Sequence, residues 1–246
     1  MFKTVENISA YYANPQRFMR LAQALHAPLW GLAIVVLALG LYMVSQTPDD
    51  YQQGSTVSIM FVHVPAAWMA LFAYSFIFFA SVTALIFRHP LGHVAGRAAA
   101  PIGAVFTLIA LITGSLWGQP MWGTWWVWDA RLTSVLVLFF IYLGYIALWQ
   151  AIEDHGQAAR AAAILAIVGS VNVPIVKFSV DWWNTLHQPA SVSRFARPAL
   201  HADFLYPLLV MGLGFTLLFL ALTLTRMQME ILRQRARTRH NGGAHV

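Results

Sequence analysis

The sequence predicts an all-α integral membrane protein with six transmembrane helices. Of its 246 residues, 59% are hydrophobic and only 10% are charged, whereas soluble domains average about 45–50% and about 25%. The hydrophobic residues form six nearly uncharged blocks, each long enough to cross a hydrocarbon core about 30 Å thick. Only helices and closed barrels satisfy their backbone hydrogen bonds in lipid, and continuous rather than alternating apolar runs favour helices.

The six blocks predict one membrane domain and a basic tail at residues 226–246. The spans are expected at about residues 29–45, 60–87, 98–116, 132–151, 161–178 and 204–225. The first block follows a polar segment and is followed by Gln46-Thr47-Pro48 rather than by the small residues of a signal-peptide cleavage site. We therefore expect it to be a retained span.

The distribution of Lys and Arg predicts the orientation of these spans. Eleven of the fifteen lie in the N-terminal segment, the loops at 88–97 and 150–160, and the tail. The other side carries four, namely Arg131, Lys177, Arg194 and Arg197. The positive-inside rule then places both termini in the cytoplasm and the loop between the third and fourth spans in the periplasm, as expected for a bacterial inner membrane. The tail is interpreted as an anchor beside anionic membrane lipid, or as a docking segment for a cytoplasmic partner.

A tryptophan-rich segment at residues 117–133 joins the third and fourth spans. It contains five of the ten tryptophans, namely Trp117, Trp122, Trp125, Trp126 and Trp128. Indole rings have large flat faces, so a dense cluster on a backbone rich in Gly and Pro favours a broad flat ligand over ordinary core packing. The alternative is a belt of tryptophans at the membrane interface.

The histidines and the lack of cysteine indicate which cofactor this segment would bind. The absence of cysteine excludes disulfides, iron–sulfur sites, thiol nucleophiles and thioether-linked haem on this chain. The predicted topology places only His63, His187 and His201 on the side of the tryptophans, and His187 lies close to Trp182 and Trp183. Two histidines from separate segments among indole rings predict a haem with an imidazole on each side of the iron. We expect His63 and His187 to be these ligands, with His201 in reserve.

Two charged residues close the tryptophan-rich segment. Arg131 is expected either to bind a haem propionate in a bidentate way or to pair with Asp129. Arg194 and Arg197 are alternative partners for a propionate. Asp129 is expected to orient an indole N–H or to cap the fourth span, because its charge would repel a propionate.

These segments closely resemble the CcmC-type haem-handling proteins of cytochrome c maturation. The resemblance rests on residues 117–133, on His63-Val-Pro-Ala-Ala and on Trp182-Trp183-Asn-Thr-Leu-His187, and it extends over about residues 50–225. It implies a protein that holds haem b through His63 and His187 at the periplasmic face and delivers it to a membrane-anchored haem chaperone, CcmE. It also implies three further partners: the small single-span protein CcmD and the ATP-binding cassette pair CcmA and CcmB.

Three other readings remain open at the level of sequence. The first is a haem transporter, because Asn172 and Pro174 are typical of a broken helix of the kind found in transport proteins. Coupling of transport to ions is not expected, since no ionisable group lies near the middle of a span. A redox cytochrome with a fixed haem and an assembly hub that binds partners through its tryptophans are the others. The chain has no phosphate-binding loop motif, we expect no nucleic-acid partner, and no residue is assigned as a catalytic acid, base or nucleophile. A delivery protein is therefore expected rather than a catalyst.

Overall fold

Long apolar stretches form long helices in the computed structural model, which describes residues 13–188, 192 and 199–243. Within those ranges, six helical segments are long and apolar enough to cross a membrane. The prediction of an all-α protein with six spans is therefore confirmed. The orientation of the spans and the sidedness of the termini stay predictions.

Seven helices make up these six segments, because two shorter helices share the fifth. They are α1 (Pro15–Ser45), α2 (Met60–Ile86), α3 (Pro90–Trp122), α4 (Ala130–Ala151), α5 (His155–Gly169), α6 (Asn172–Trp182) and α7 (Ala202–Gly243). A 3-10 turn at Ser55–Ile59 leads into α2.

Three helices extend well beyond the spans expected from hydropathy. The first begins at Pro15 rather than near residue 29, α3 covers Pro90–Trp122 rather than 98–116, and α7 continues through the basic tail to Gly243. Hydropathy detects only the part of a helix that suits lipid, whereas the helix itself continues into water until a cap or breaker ends it. Residues 117–122 of the tryptophan-rich segment are therefore helical, and only residues 123–129 form a loop.

Two local signals fix the ends of that loop. Gly123 ends α3 in the left-handed conformation, with φ 74°, and its N–H donates to Gln119 O at 2.9 Å. A glycine tolerates this conformation because it has no Cβ. At the other end, Asp129 caps α4 by accepting a hydrogen bond from Leu132 N–H at 2.8 Å.

Buried tyrosines set the packing of α2, α3, α4 and α5. Each tyrosine lies against a glycine of a neighbouring helix, in the pairs Tyr74 with Gly169, Tyr142 with Gly103, and Tyr145 with Gly96. The hydroxyl of Tyr142 also donates to Ala70 O at 2.7 Å. Small residues let helix backbones approach closely in a membrane protein, and the hydrogen bond satisfies the one polar atom of the buried ring.

The fifth span is interrupted at Ser170 and Val171, directly before Asn172. The side chain of Asn172 is buried and donates to Ser134 O on α4 at 2.9 Å. This bond holds α6 against the start of α4. The C-terminal half of the fifth span is thereby directed toward the tryptophan-rich segment.

Candidate functional site

A cavity of about 290 Å³ lies where α2 and α4 begin, α3 and α6 end, and α7 begins. Its walls are mostly apolar, with a small number of polar and aromatic groups, as is typical of sites for small molecules and cofactors. The predicted site residues that line it are His63, Trp117, Trp122, Trp126, Arg131 and His187.

The two expected iron ligands lie close to each other in the wall of this cavity. Their imidazole centroids are 6.3 Å apart, and the ring planes are tilted by 34°. An imidazole nitrogen binds a metal at roughly 2 Å and lies about 1 Å from its ring centroid, so two imidazoles on one ion have centroids about 6 Å apart. The spacing of His63 and His187 therefore fits one ion between the rings.

Hydrogen bonds fix the tautomer of both histidines. In His63, Nδ1 lies 3.1 Å from Ala110 O and 3.1 Å from Thr113 Oγ1; in His187, Nδ1 lies 3.0 Å from Gln188 O. A carbonyl oxygen can only accept, so each Nδ1 carries the hydrogen and each neutral ring has its lone pair on Nε2. Metal-binding histidines commonly donate their other N–H in this way.

Burial also favours the neutral form of His187. Burial lowers the pKa of this imidazole from its ordinary value, and the hydrogen bond to Gln188 O opposes that effect only in part. Near neutral pH the ring is therefore available as a ligand rather than protonated.

The donor set suits an iron that a porphyrin already holds. Across the described part of the chain, no group of three or more His, Cys, Asp or Glu side chains is placed to hold a metal ion. A bare transition metal usually takes four or more ligands from protein and water, whereas haem iron needs only axial ones. Two neighbouring imidazoles in an apolar cavity thus fit haem better than a free ion.

Two of the tryptophans pack directly against the histidines. The indole of Trp117 contacts His63 edge to face, with centroids 5.7 Å apart, and its Nε1–H donates to Gln53 Oε1 at 2.9 Å. The indole of Trp122 contacts His187 with centroids 6.3 Å apart. Because Trp117 and Trp122 both belong to α3, one rigid helix end positions an indole beside each histidine.

The other five tryptophans that the sequence analysis assigned to the site divide into one that lines the cavity and four that do not. Trp126 lines it, and its indole Nε1 is buried with no hydrogen-bond partner in the described chain. The other four are half or more exposed, namely Trp125, Trp128, Trp182 and Trp183. Trp128 contacts Trp126 of the cavity wall, with centroids 5.6 Å apart, and Trp182 contacts Trp183, with centroids 5.7 Å apart, so exposed aromatic side chains continue outward from the cavity.

The charged residues of the segment make separate contacts. The Nε–H of Arg131 donates to Ser179 Oγ at 2.8 Å, and within the described residues Arg131 forms no ion pair with Asp129. Besides its cap bond through Oδ1, Asp129 has its second oxygen buried and unpaired among the described residues. The guanidinium of Arg131 thus lines the cavity at the junction of α4 and α6.

One further candidate lies away from the cavity, and two fall outside the described residues. His201 is exposed, pairs with Asp203 at 3.3 Å and does not line the cavity. Arg194 and Arg197 lie outside the described residues.

Sequence reasoning missed several residues of this site. Thr113 and Ala110 lie four and seven residues before Trp117 on α3, so helical periodicity could have placed them on the face of that tryptophan. Gln53 and Lys177 contribute to the cavity wall from distant parts of the chain, and no local motif marks them.

The family model and the similar proteins carry the same description. The family described as Heme exporter protein C matches residues 8–241. Proteins named Heme exporter protein C are 58% identical over 226 residues in Bradyrhizobium diazoefficiens (92% of this chain, 86% of that protein) and 49% identical over 225 residues in Paracoccus denitrificans (91% and 93%). In Escherichia coli the identity is 48% over 202 residues, or 81% of each chain.

Proposed function

This chain belongs to the Heme exporter protein C family, and we propose that it holds haem as cargo between His63 and His187 for delivery to a haem chaperone. Family membership supports a multi-pass membrane protein that handles haem for cytochrome c maturation. The observation that carries the finer proposal is the pair of imidazoles 6.3 Å apart, each with its Nε2 lone pair available and each flanked by an indole.

The two histidines differ in how they are held, which suggests how cargo is released. His63 is part of α2 and is bound to two acceptors on α3. His187 lies in the connection between α6 and α7 and bonds only to the carbonyl of its neighbour, Gln188, in the contacts described. Haem iron accepts one imidazole on each face. We infer that His187 is the ligand that gives way during transfer, while His63 stays fixed.

Polar groups around the cavity suit the propionates of haem b. The Arg131 guanidinium can bind a carboxylate in a bidentate way, and the buried Trp126 Nε1–H is a donor that needs an acceptor. Asp129 serves as a helix cap rather than as a propionate partner. Arg131 and Trp126 are therefore the proposed propionate contacts.

The exposed tryptophans suit a partner at the periplasmic face of the inner membrane. Trp128 is 76% exposed and Trp125 is 59% exposed. Large exposed aromatic side chains are typical of interaction surfaces. We propose that this surface receives the chaperone CcmE, and that CcmD and the ATP-binding cassette pair CcmA and CcmB complete the assembly.

The break in the fifth span favours a second candidate, in which haem crosses the bilayer through this protein. Interrupted helices are typical of transport pathways. The interruption at Ser170 and Val171 lies in the segment that continues into the cavity wall through Val176 and Lys177. If haem crosses in this way, the cavity is one end of the transport path rather than the complete haem-binding site.

Visible absorption of the detergent-purified protein tests the proposal. Wild type, His63→Ala, His187→Ala and the exposed control His201→Ala are each expressed with and without CcmE. We expect a Soret band with low-spin bis-imidazole features in wild type and His201→Ala. The band should weaken or shift in the other two variants, with loss of haem on the chaperone. A wild-type spectrum in both His63→Ala and His187→Ala would show that the two-histidine site is wrong.

A further inference from the structure

A second cavity, of about 180 Å³, lies between α3, α4 and α7 at the opposite end of the bundle. On α3, Arg97 of this cavity and Trp117 of the histidine site are separated by twenty residues, or about 30 Å at 1.5 Å per residue. That distance is about the thickness of the hydrocarbon core. The second cavity is therefore separate from the histidine site and lies near the other membrane interface.

Positive charge is in excess in this cavity. Within the described part of the chain, Arg97, Arg226 and Arg233 line it together with one acidic residue, Glu230. Glu230 is 6% exposed and forms an ion pair with Arg97 at 2.6 Å. Three arginines and one glutamate leave an excess of two positive charges among the lining residues. Arg226 interacts with all three of the other charged residues, since Arg97 and Arg233 repel it and Glu230 attracts it.

Two of the arginines are held in place rather than extended into solvent. The Nε–H of Arg226 donates to Ala98 O at 3.0 Å. The Arg97 guanidinium lies 4.7 Å from the centroid of the Trp149 ring. A surface arginine that only improves solubility would stay mobile and hydrated. Fixed guanidinium groups that repel one another instead favour a bound anion.

The same cavity has an apolar wall on the side of the bilayer centre. Pro101 lies beyond Arg97 on α3, which runs from this end toward the histidine site. Ile146 precedes Trp149 on α4, which runs in the reverse direction. Both residues are thus deeper in the bundle than the arginines. A ligand that fits both parts has an anionic head and a hydrocarbon chain.

We propose that this cavity binds the phosphate of an anionic phospholipid, with the acyl chain directed toward Pro101 and Ile146. Basic pockets between transmembrane helices commonly bind such headgroups, and a guanidinium matches phosphate oxygens in a bidentate way. The shared chemistry is a phosphate group, which a lipid or a soluble anion can supply. The excess charge and the apolar wall together favour the lipid. This proposal does not depend on what the histidine site binds.

Melting of the full-length protein in a neutral detergent tests the assignment. The protein is titrated with phosphatidylglycerol, with phosphatidylcholine of the same acyl chains, and with inorganic phosphate. Arg226→Gln and Arg233→Gln remove charge from the cavity. Arg233 is exposed, so its replacement is expected to leave the fold intact. Arg235→Gln removes the same charge from the same helix outside the cavity lining and is the matched control.

We expect phosphatidylglycerol to raise the melting temperature of wild type and of Arg235→Gln. In the two cavity variants, the phosphatidylglycerol concentration that gives half of this effect should increase about tenfold or more. Equal stabilisation by phosphatidylcholine would overturn the proposal, because the headgroup charge would then be irrelevant. Equal stabilisation by inorganic phosphate would assign the cavity to a soluble anion instead. An unchanged phosphatidylglycerol response in both cavity variants would place the lipid elsewhere on the surface.

Discussion

At the residue scale, Thr113 on the neighbouring helix contacts His63, the proposed haem ligand. Its hydroxyl donates to Ile109 O at 2.6 Å, so the hydroxyl oxygen can accept the Nδ1–H of His63. Replacing Thr113 with Val keeps the shape but removes this acceptor. Loss of such a supporting hydrogen bond typically costs 10–100-fold in metal affinity. Because Ala110 O remains, we expect Thr113→Val to weaken haem binding about tenfold, as measured by absorption titration.

Thr107 offers a matched control for this variant. It lies on the same helix, is buried and donates to Gly103 O at 2.7 Å, yet it does not line the cavity. Thr107→Val should therefore leave haem affinity near that of wild type. A similar loss in both variants would mean that the effect arises from helix packing rather than from His63.

Residue types with a distinct chemical role were the most predictable part of the site. The predicted sidedness left three histidines, His63, His187 and the reserve candidate His201, and the fold brings the rings of the first two within 6.3 Å of each other. Gln53 was not predictable, because a glutamine in a short turn has no sequence pattern that relates it to an indole sixty-four residues away. Contacts between distant elements depend on how the helices pack, which hydropathy does not specify.

At the element scale, the C-terminal end of α3 determines where the indoles lie. Hydropathy predicted that this span would end near residue 116, because glycines and polar residues follow it. The helix continues to Trp122, where Gly123 ends it. A glycine directly after the last turn is a recognised signal for the end of a helix, so Gly123 marks this end in the sequence. The fall in hydropathy after residue 116 led to the earlier, incorrect end.

Gly118 provides a test of that helix end. A Cβ built at Gly118 would lie 2.9 Å from Cε3 and 3.1 Å from Cζ3 of Trp122. The indole must therefore move, and its contact with His187 is disturbed. We expect Gly118→Ala to weaken haem binding several-fold with only a small change in the melting temperature, since alanine favours a helix over glycine by about 1 kcal/mol, which offsets much of the cost of moving the indole. Absorption titration and thermal melting measure the two effects separately.

Gly31 on α1 is the control for this substitution, since a Cβ there would meet nothing within 4 Å. Gly31→Ala should leave haem affinity unchanged and should not lower the melting temperature. If Gly118→Ala bound haem as tightly as Gly31→Ala, the position of Trp122 would not matter for binding.

At the scale of the whole molecule, the two cavities give the bundle opposite chemical characters at its two ends. One end carries the histidines and most of the tryptophans, and the other carries the arginine cavity. The bias of eleven Lys and Arg residues against four predicts that the arginine end faces the cytoplasm. The proposed delivery of haem to a periplasmic chaperone requires the same orientation.

The absence of cysteine makes this orientation directly testable. Tyr51 is 90% exposed in the connection that borders the histidine cavity, and Gln157 is exposed near the start of α5 at the other end. With a membrane-impermeant maleimide added to spheroplasts, we expect labelling of Tyr51→Cys at once and of Gln157→Cys only after permeabilisation. Both variants should keep the wild-type haem spectrum, which shows that each is folded. The reverse labelling pattern would place the histidine cavity in the cytoplasm, where it could not pass haem to a periplasmic partner.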